Sequence, residues 1–189
     1  MSELTDADHA ALVDELLVVR CQLGERPAFD ALVARWRQPL WRYARNLAGN
    51  DAAADDAAQD IWVRVLRGIG ALRDAARLRS WLFGIAHRVM MDRLREHYAR
   101  PESVDIEAED LPADDGNALE LELELASMLD ELARLPLVEN EVLTLFYLRE
   151  LSLDDIAQAL GIPPGTVKSR LHRARKMLRQ QLQREGVCA

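Results

Sequence analysis

Residues 151–182, LSLDDIAQALGIPPGTVKSRLHRARKMLRQQL, leave this chain few ways to fold. Leu153, Ile156, Ala157 and Leu160 recur at the three-to-four spacing of one helix face. Gly161 supplies the left-handed position that ends a helix, and Ile162-Pro163-Pro164 prevents its continuation. A proline near the start suits the next helix, whose first amides have no partner anyway. There Val167, Leu171, Ala174 and Leu178 make one apolar stripe. At ~100° per residue Ser169, His172, Arg173 and Lys176 point to the opposite side. The segment reads as a helix-turn-helix whose second helix turns a polar, cationic face outward.

The chemistry of that face points to DNA. Residues 165–184 hold seven cations (Lys168, Arg170, Arg173, Arg175, Lys176, Arg179 and Arg184) and no acid. Such a helix attracts the phosphate backbone with a strong salt dependence. Its N-terminal end is where a recognition helix meets base edges in the major groove. Arg173 or Lys168 can donate to guanine, and Ser169 and His172 to bases or phosphates.

The overall charge of −8 argues the other way only until it is located. Residues 101–133 carry twelve acids and no lysine or arginine, so without them the rest of the chain stands at +4. Screening over ~8 Å at physiological salt makes local charge decisive. Cys21 and Cys188 lie near opposite ends with no paired spacing, which fits a reducing compartment without a disulfide framework. No apolar run approaches the ~20 residues of a membrane span. Residues 1–10, MSELTDADHA, lack the cationic and apolar parts of a secretion signal. A soluble, cytoplasmic protein without membrane insertion is expected. His9, His87, His97 and His172 are scattered without metal-ligand spacing, and no catalytic triad or phosphate loop is present. Neither an enzyme nor a cofactor or metal is expected.

The periodicity predicts an all-α fold of two small helical domains, at residues 10–98 and 118–185, joined by an acidic flexible linker at 99–117. In the first, helices are expected over 11–22, 28–47, 52–67 and 78–98. Gly49-Asn50-Asp51 breaks and recaps the chain, and 68–77 is a loop. In the second, ALELELELA at 118–126 alternates with a period of two. Leu121, Leu125, Met128 and Leu132 nevertheless continue at helical spacing, and leucine and glutamate are good helix formers, so a helix to Leu135 is expected. After a break at Pro136, another runs over 140–149.

Residues 78–98 form a second nucleic-acid candidate. Leu78, Leu82, Ile85, Ala86 and Val89 make the expected buried stripe, with His87, Arg88, Met91 and Arg95 facing out and Trp81 and Phe83 on the shoulders. Six arginines against two acids between Arg77 and Arg100, mixed with aromatics, suit a surface on which unpaired bases stack. The preceding loop offers a place for a base drawn out of the duplex.

Taken together, IPPGTVKSRLHRAR (162–175), LSLDDIAQALG (151–161), RSWLFGIAHRVMMDRLR (79–95) and DDAAQDIWVRVL (55–66) resemble the sigma factors of bacterial RNA polymerase. The likeness is to the small two-domain extracytoplasmic-function group of the sigma-70 family, over roughly residues 14–182. It implies an alternative sigma factor that binds core RNA polymerase and directs promoter-specific initiation. Asp56, Gln59, Asp60, Trp62 and Arg64 would meet the clamp helices of the largest polymerase subunit. The 68–77 loop and the next helix, with Arg77, Arg79, Trp81, His87, Arg88, Met91 and Arg95, would melt the minus-ten element and hold one strand. Thr166, Lys168, Ser169, Arg170, His172, Arg173 and Lys176 would read the minus-thirty-five element, with this domain also on the flap of the second-largest subunit. An anti-sigma factor is an implied further partner. Three positions depart from the family's usual pattern: Ala57-Ala58, Arg88, and Val138-Glu139-Asn140. The alternative is a stand-alone helix-turn-helix regulator, which would footprint DNA without polymerase.

Overall fold

The computed structural model describes residues 6–99, 132 and 134–184, and all regular structure among them is helical. The expected linker at 99–117 and the alternating segment at 118–126 lie outside the described residues, apart from Ala99.

Four helices build the N-terminal half: α1 (Asp6–Gln22), α2 (Arg26–Ala48), α3 (Asp51–Gly68) and α4 (Leu78–Ala99). Gly49, at φ 79°, ends α2 by donating its N–H to the Arg45 carbonyl, and the Asn50 side chain accepts from Ala53 N–H to start α3. The Gly49-Asn50-Asp51 expectation is therefore met. The 68–77 connection is more ordered than a loop: two 3₁₀ turns, Ile69–Ala71 and Ala75–Arg77, lead straight into α4. Gln22 pins it by donating to the Ile69 and Leu72 carbonyls.

The bundle core comes from the periodic positions of each helix. Leu32, Leu40, Tyr43, Ile61, Val65, Leu78 and Leu82 are buried together, as are Ile85, Ala86 and Val89 of the predicted α4 stripe. Phe83, placed on a shoulder by the sequence, is fully buried instead. It meets Trp36 and Tyr43 edge-to-face at 6.3 and 5.5 Å, an arrangement aromatic quadrupoles favour. α1 is fastened by one buried carboxylate: Asp14 Oδ1 accepts from Arg35 Nε at 2.6 Å and Trp36 Nε1 at 3.1 Å.

The C-terminal half comprises α5 (Leu137–Leu143), α6 (Leu153–Leu160) and α7 (Pro164–Arg184). α5 begins directly after Pro136, three residues earlier than expected, because proline is tolerated where the first helical amides are free. The chain then widens into a π-helical turn, Thr144–Leu148, closed by Arg149 N–H on the Thr144 carbonyl at 3.1 Å. α6 has the predicted limits, with Ser152 capping it and Gly161 at φ 65° ending it. Val167, Leu171 and Ala174 are buried and Leu178 is partly so, as the stripe required.

The two halves do not stand apart. α4 lies against α6, and Gly84 makes this possible: a Cβ there would sit 3.3 Å from the Ala159 carbonyl oxygen.

Candidate nucleic-acid interface

On α7 the outward row is present. Lys168, Ser169, His172 and Lys176 are exposed, while Thr166 and Arg170 are half-buried. Ser169 Oγ donates to the Thr166 carbonyl at 3.0 Å, which sets its hydroxyl against the helix. Arg173 is exposed along its stem, but its Nε donates to Glu139 at 2.6 Å, and Nη2 donates to the same oxygen. Glu139 itself is only 3% exposed. One of the two residues expected to donate to guanine is thus held by a carboxylate of α5. Arg175, two residues along, stacks over Phe146 and Tyr147 at 5.6 and 5.4 Å, a cation–π contact that buttresses the π-helical turn.

The α4 set divides into residues facing solvent and residues held by the C-terminal half. Arg88 and Arg95 are exposed, Met91 and Trp81 half-buried, and Trp81 packs over Gly68. Arg77 donates to Asp74 at 3.1 Å and to the Gln158 side chain of α6 at 3.1 Å. Arg79 lies over the Trp36 ring at 5.9 Å and donates to the Arg149 carbonyl at 2.6 Å. His87, expected to face out, is 2.6 Å from Glu141 of α5. A carboxylate only accepts, so His87 Nδ1 carries the proton in that bond.

Glu141 also accepts from the Tyr43 hydroxyl. Burial, then the Glu141 charge, and then this hydrogen bond push the Tyr43 phenol well above its ordinary value. Beside this cluster Asn46 donates to Asn140 at 2.6 Å and Thr144 at 2.7 Å. Arg149 is drawn down to about 10 by burial and by the nearby Arg42 charge.

α3 presents a different surface. Asp56, Gln59, Asp60 and Arg64 are exposed and Trp62 is half-buried. Gln59 and Trp62 line a groove of about 470 Å³ between α2 and α3, with Val33, Trp41 and Ala58. Phe29 meets the Trp62 ring edge-on at 6.2 Å, and Trp41 Nε1 donates to Asp55 at 2.7 Å. Asp60 accepts from Arg93 at 2.5 Å, and the Asp56 carbonyl from the same guanidinium at 2.9 Å. Arg64 and Arg95 share Asp92, at 3.1 and 3.3 Å. Of the two alanines that depart from the family pattern, Ala57 is fully buried and only Ala58 reaches the groove.

Residues 32–100 match the family model for sigma-70 region 2, and residues 125–178 match sigma-70 region 4. The chain belongs to the extracytoplasmic-function sigma factors of the sigma-70 family. It is 31% identical to the ECF RNA polymerase sigma-E factor of Haemophilus influenzae, over 91% of this chain and 96% of that one. With the sigma factor SigM of Mycobacterium tuberculosis it shares 37% identity, over 84% and 79% of the two chains. Among solved structures it is similar to CnrH in complex with the cytosolic domain of CnrY, with a TM-score of 0.68, 28% identity, and 90% and 97% of the chains covered. The fold also matches the sigma factor RpoE in its complex with the anti-sigma factor NepR from Bartonella quintana. That match has a TM-score of 0.70 at 23% identity and covers 82% and 96% of the chains. This sigma factor is an alternative sigma factor for directing transcription, and the stand-alone regulator is not the favoured reading.

Sequence reasoning missed Glu139, which holds Arg173 within the C-terminal half, and the residues between the halves of this sigma factor: Tyr43, Asn46, Asn140, Glu141 and Arg149. Two signals pointed there. Gly84 interrupts a strong helix, which marks a close backbone approach. Glu139 and Asn140 depart from the family pattern at positions the fold buries to 3% exposure.

Proposed function

We propose that this sigma factor joins core RNA polymerase through α3, opens the minus-ten element with α4 and the turn before it, and reads the minus-thirty-five element with α7. The observation that carries this is the presence in one chain of two separate exposed surfaces. One is the Lys168, Ser169, His172 and Lys176 row on a recognition helix, and the other is the uncovered α2–α3 groove at Gln59 and Trp62. The row offers two lysines and a histidine on the outer side of a recognition helix, the side that meets a major groove. The groove is concave, aromatic and edged by acid, which suits a partner helix. Asp56, Asp60 and Arg64 would line the polymerase contact, on the clamp helices of the largest subunit. The C-terminal half would also rest on the flap of the second-largest.

Residues 10–98 then act as the minus-ten domain and 118–185 as the minus-thirty-five domain, with the acidic 99–117 segment between them. Arg88, Met91, Trp81 and Arg95 would face the separated strand, with Arg77, Arg79 and His87 joining them. Thr166, Arg170 and Arg173 would support the recognition row. The role is one of binding and positioning, with no catalytic group or cofactor, exercised in the cytoplasm, where RNA polymerase works. No described helix is long and apolar enough to cross a membrane. An anti-sigma factor is the proposed inhibitory partner, as CnrH and RpoE are each seen with one bound protein.

The direct test is association with core RNA polymerase. The Gln59→Ala, Trp62→Ala double variant, checked for helical content, is expected to bind at least about tenfold more weakly, a loss of ~1.4 kcal/mol. Lys168→Ala should bind as the parent does. Unchanged binding by the double variant would place the polymerase contact elsewhere.

A further inference from the structure

α1 carries apolar residues on two opposite faces, and the bundle covers only one of them. Leu17 and Val18 point into the core beside Asp14. The other face holds Leu12, Leu16, Val19 and Leu23, which are 50, 57, 48 and 75% exposed. Leu23 N–H donates to the Val19 carbonyl at 3.0 Å, so this last leucine keeps the helical register. Apolar residues exposed singly are ordinary, but four in one stripe mark a contact surface. Their steps of four, three and four residues are those of a coiled-coil seam, with Leu12 and Val19 at d and Leu16 and Leu23 at a. Glu15 then falls at g and Arg20 at the following e. Glu15 has no observed ion pair among the described residues. Arg20 holds Glu25 at 2.8 Å, a bond between two groups 41 and 42% exposed and therefore weak in water.

We propose that this stripe is a homodimer seam: two copies of the chain join through parallel α1 helices, with Leu12, Leu16, Val19 and Leu23 against their equivalents. The charges select a second copy in that direction. In a parallel pair a g residue faces the e residue five places on in the other helix, so Glu15 of each copy meets Arg20 of the other, twice by symmetry. An antiparallel pair sets g against g and e against e, and leaves both charges without an opposite. α1 is already folded against α2 by the bonds of Asp14 to Arg35 and Trp36, so pairing carries no helix-nucleation cost. Four side chains per copy make a contact below the ~1,200 Å² of a standard interface, and a dissociation constant on the order of tens of micromolar is expected. None of the four lines the α2–α3 groove at Gln59 and Trp62, so the seam is separate from that groove.

Sedimentation velocity of the full chain, from about 5 to 300 μM, reads the association. The parent should move from monomer toward twice its 21.4 kDa mass as concentration rises. Leu16→Glu puts a charge in the centre of the seam and should stay monomeric throughout. Leu16 is exposed, so the core is untouched and helical content by circular dichroism should match the parent. Charge exchange reads the direction of pairing. Glu15→Arg alone sets arginine against arginine, and Arg20→Glu alone sets glutamate against glutamate. Each is expected to self-associate at least about tenfold more weakly than the parent. Mixed in equal amounts, the two place opposite charges at both contacts and should associate as the parent does. A parent that stays monomeric at the highest concentration would overturn the proposal and leave the stripe to a helix of another protein. A parent dimer undisturbed by Leu16→Glu would overturn it by placing the interface on another face. A mixture that associates no more strongly than its components would overturn the parallel pairing.

Discussion

Glu139 and Arg173 form a buried-to-exposed ion pair across the helix-turn-helix: the carboxylate is almost inaccessible, while the arginine stem runs over the surface toward it. Because both guanidinium bonds fall on one Glu139 oxygen, the arginine is drawn toward α5 rather than extended into a groove. Arg173→Ala therefore strands a buried carboxylate, at a cost of about 1–3 kcal/mol in stability. Urea unfolding of Arg173→Ala, Glu139→Ala and the double variant should show a coupling of at least ~1 kcal/mol. Additive effects would mean that the pair contributes nothing to the fold. Lower promoter-specific initiation by Arg173→Ala, with core-polymerase binding intact, remains the expected functional result.

Lys168 and Lys176 belong to the outward row and have no observed acidic partner among the described residues. Lys168→Ala should weaken holoenzyme binding to promoter DNA with little regard to sequence. It should also reduce the salt slope by about one unit, as expected for one lost phosphate contact. A changed base preference at an unchanged slope would make Lys168 a base reader instead.

Asp14 joins α1 to α2 through Arg35 and Trp36. Asp14→Ala leaves the indole N–H without its acceptor in the core and the guanidinium without its pair. Destabilisation by ~2–3 kcal/mol is expected, read as a lower urea midpoint with an unchanged m-value. A loss below ~0.5 kcal/mol would show that α1 is held by apolar packing alone.

The helix-turn-helix was legible because its determinants are local. Gly161, Pro163-Pro164 and the Val167–Leu171–Ala174 stripe each act within a turn or two of the residue they constrain. The α1–α4 bundle followed from the same periodicity. Phe83 and His87 were misplaced for a common reason: a helical pattern shows which residues need cover but not how many neighbouring surfaces will supply it. α4 is covered on one side by its own bundle and on another by α6, so its buried sector is wider than one stripe. The Tyr43–Glu141 bond spans 98 positions and leaves no periodic trace in either helix. In the candidate site, the exposed members of α3 and α7 were readable as polar positions opposite a stripe. Which of the arginines were already paired was not, because their partners come from distant segments.

Tyr43 gives this contact a signature in alkali. Its phenol stays neutral in the fold above ~10, where an unfolded tyrosine ionises. The unfolded state then binds fewer protons than the native one, so this contribution is complete below pH ~10 and is lost as pH rises beyond it. Arg149, lowered to about 10, acts with the opposite sign, because its unfolded form holds its proton longer. The difference between the parent and Tyr43→Phe isolates the tyrosine: stability of the parent should fall relative to the variant by up to ~1.4 kcal/mol per pH unit above pH 10. Parallel curves would mean that Tyr43 ionises as freely in the fold as in the unfolded chain.

Promoter-directed initiation is the central claim, and in vitro transcription measures it most directly. Core RNA polymerase is incubated with genomic DNA fragments, with and without this protein. Discrete start sites should appear only when the protein is present, each preceded by shared elements near minus ten and minus thirty-five. No initiation, together with a footprint made by the protein alone, would contradict the account and make the helix-turn-helix that of an independent regulator.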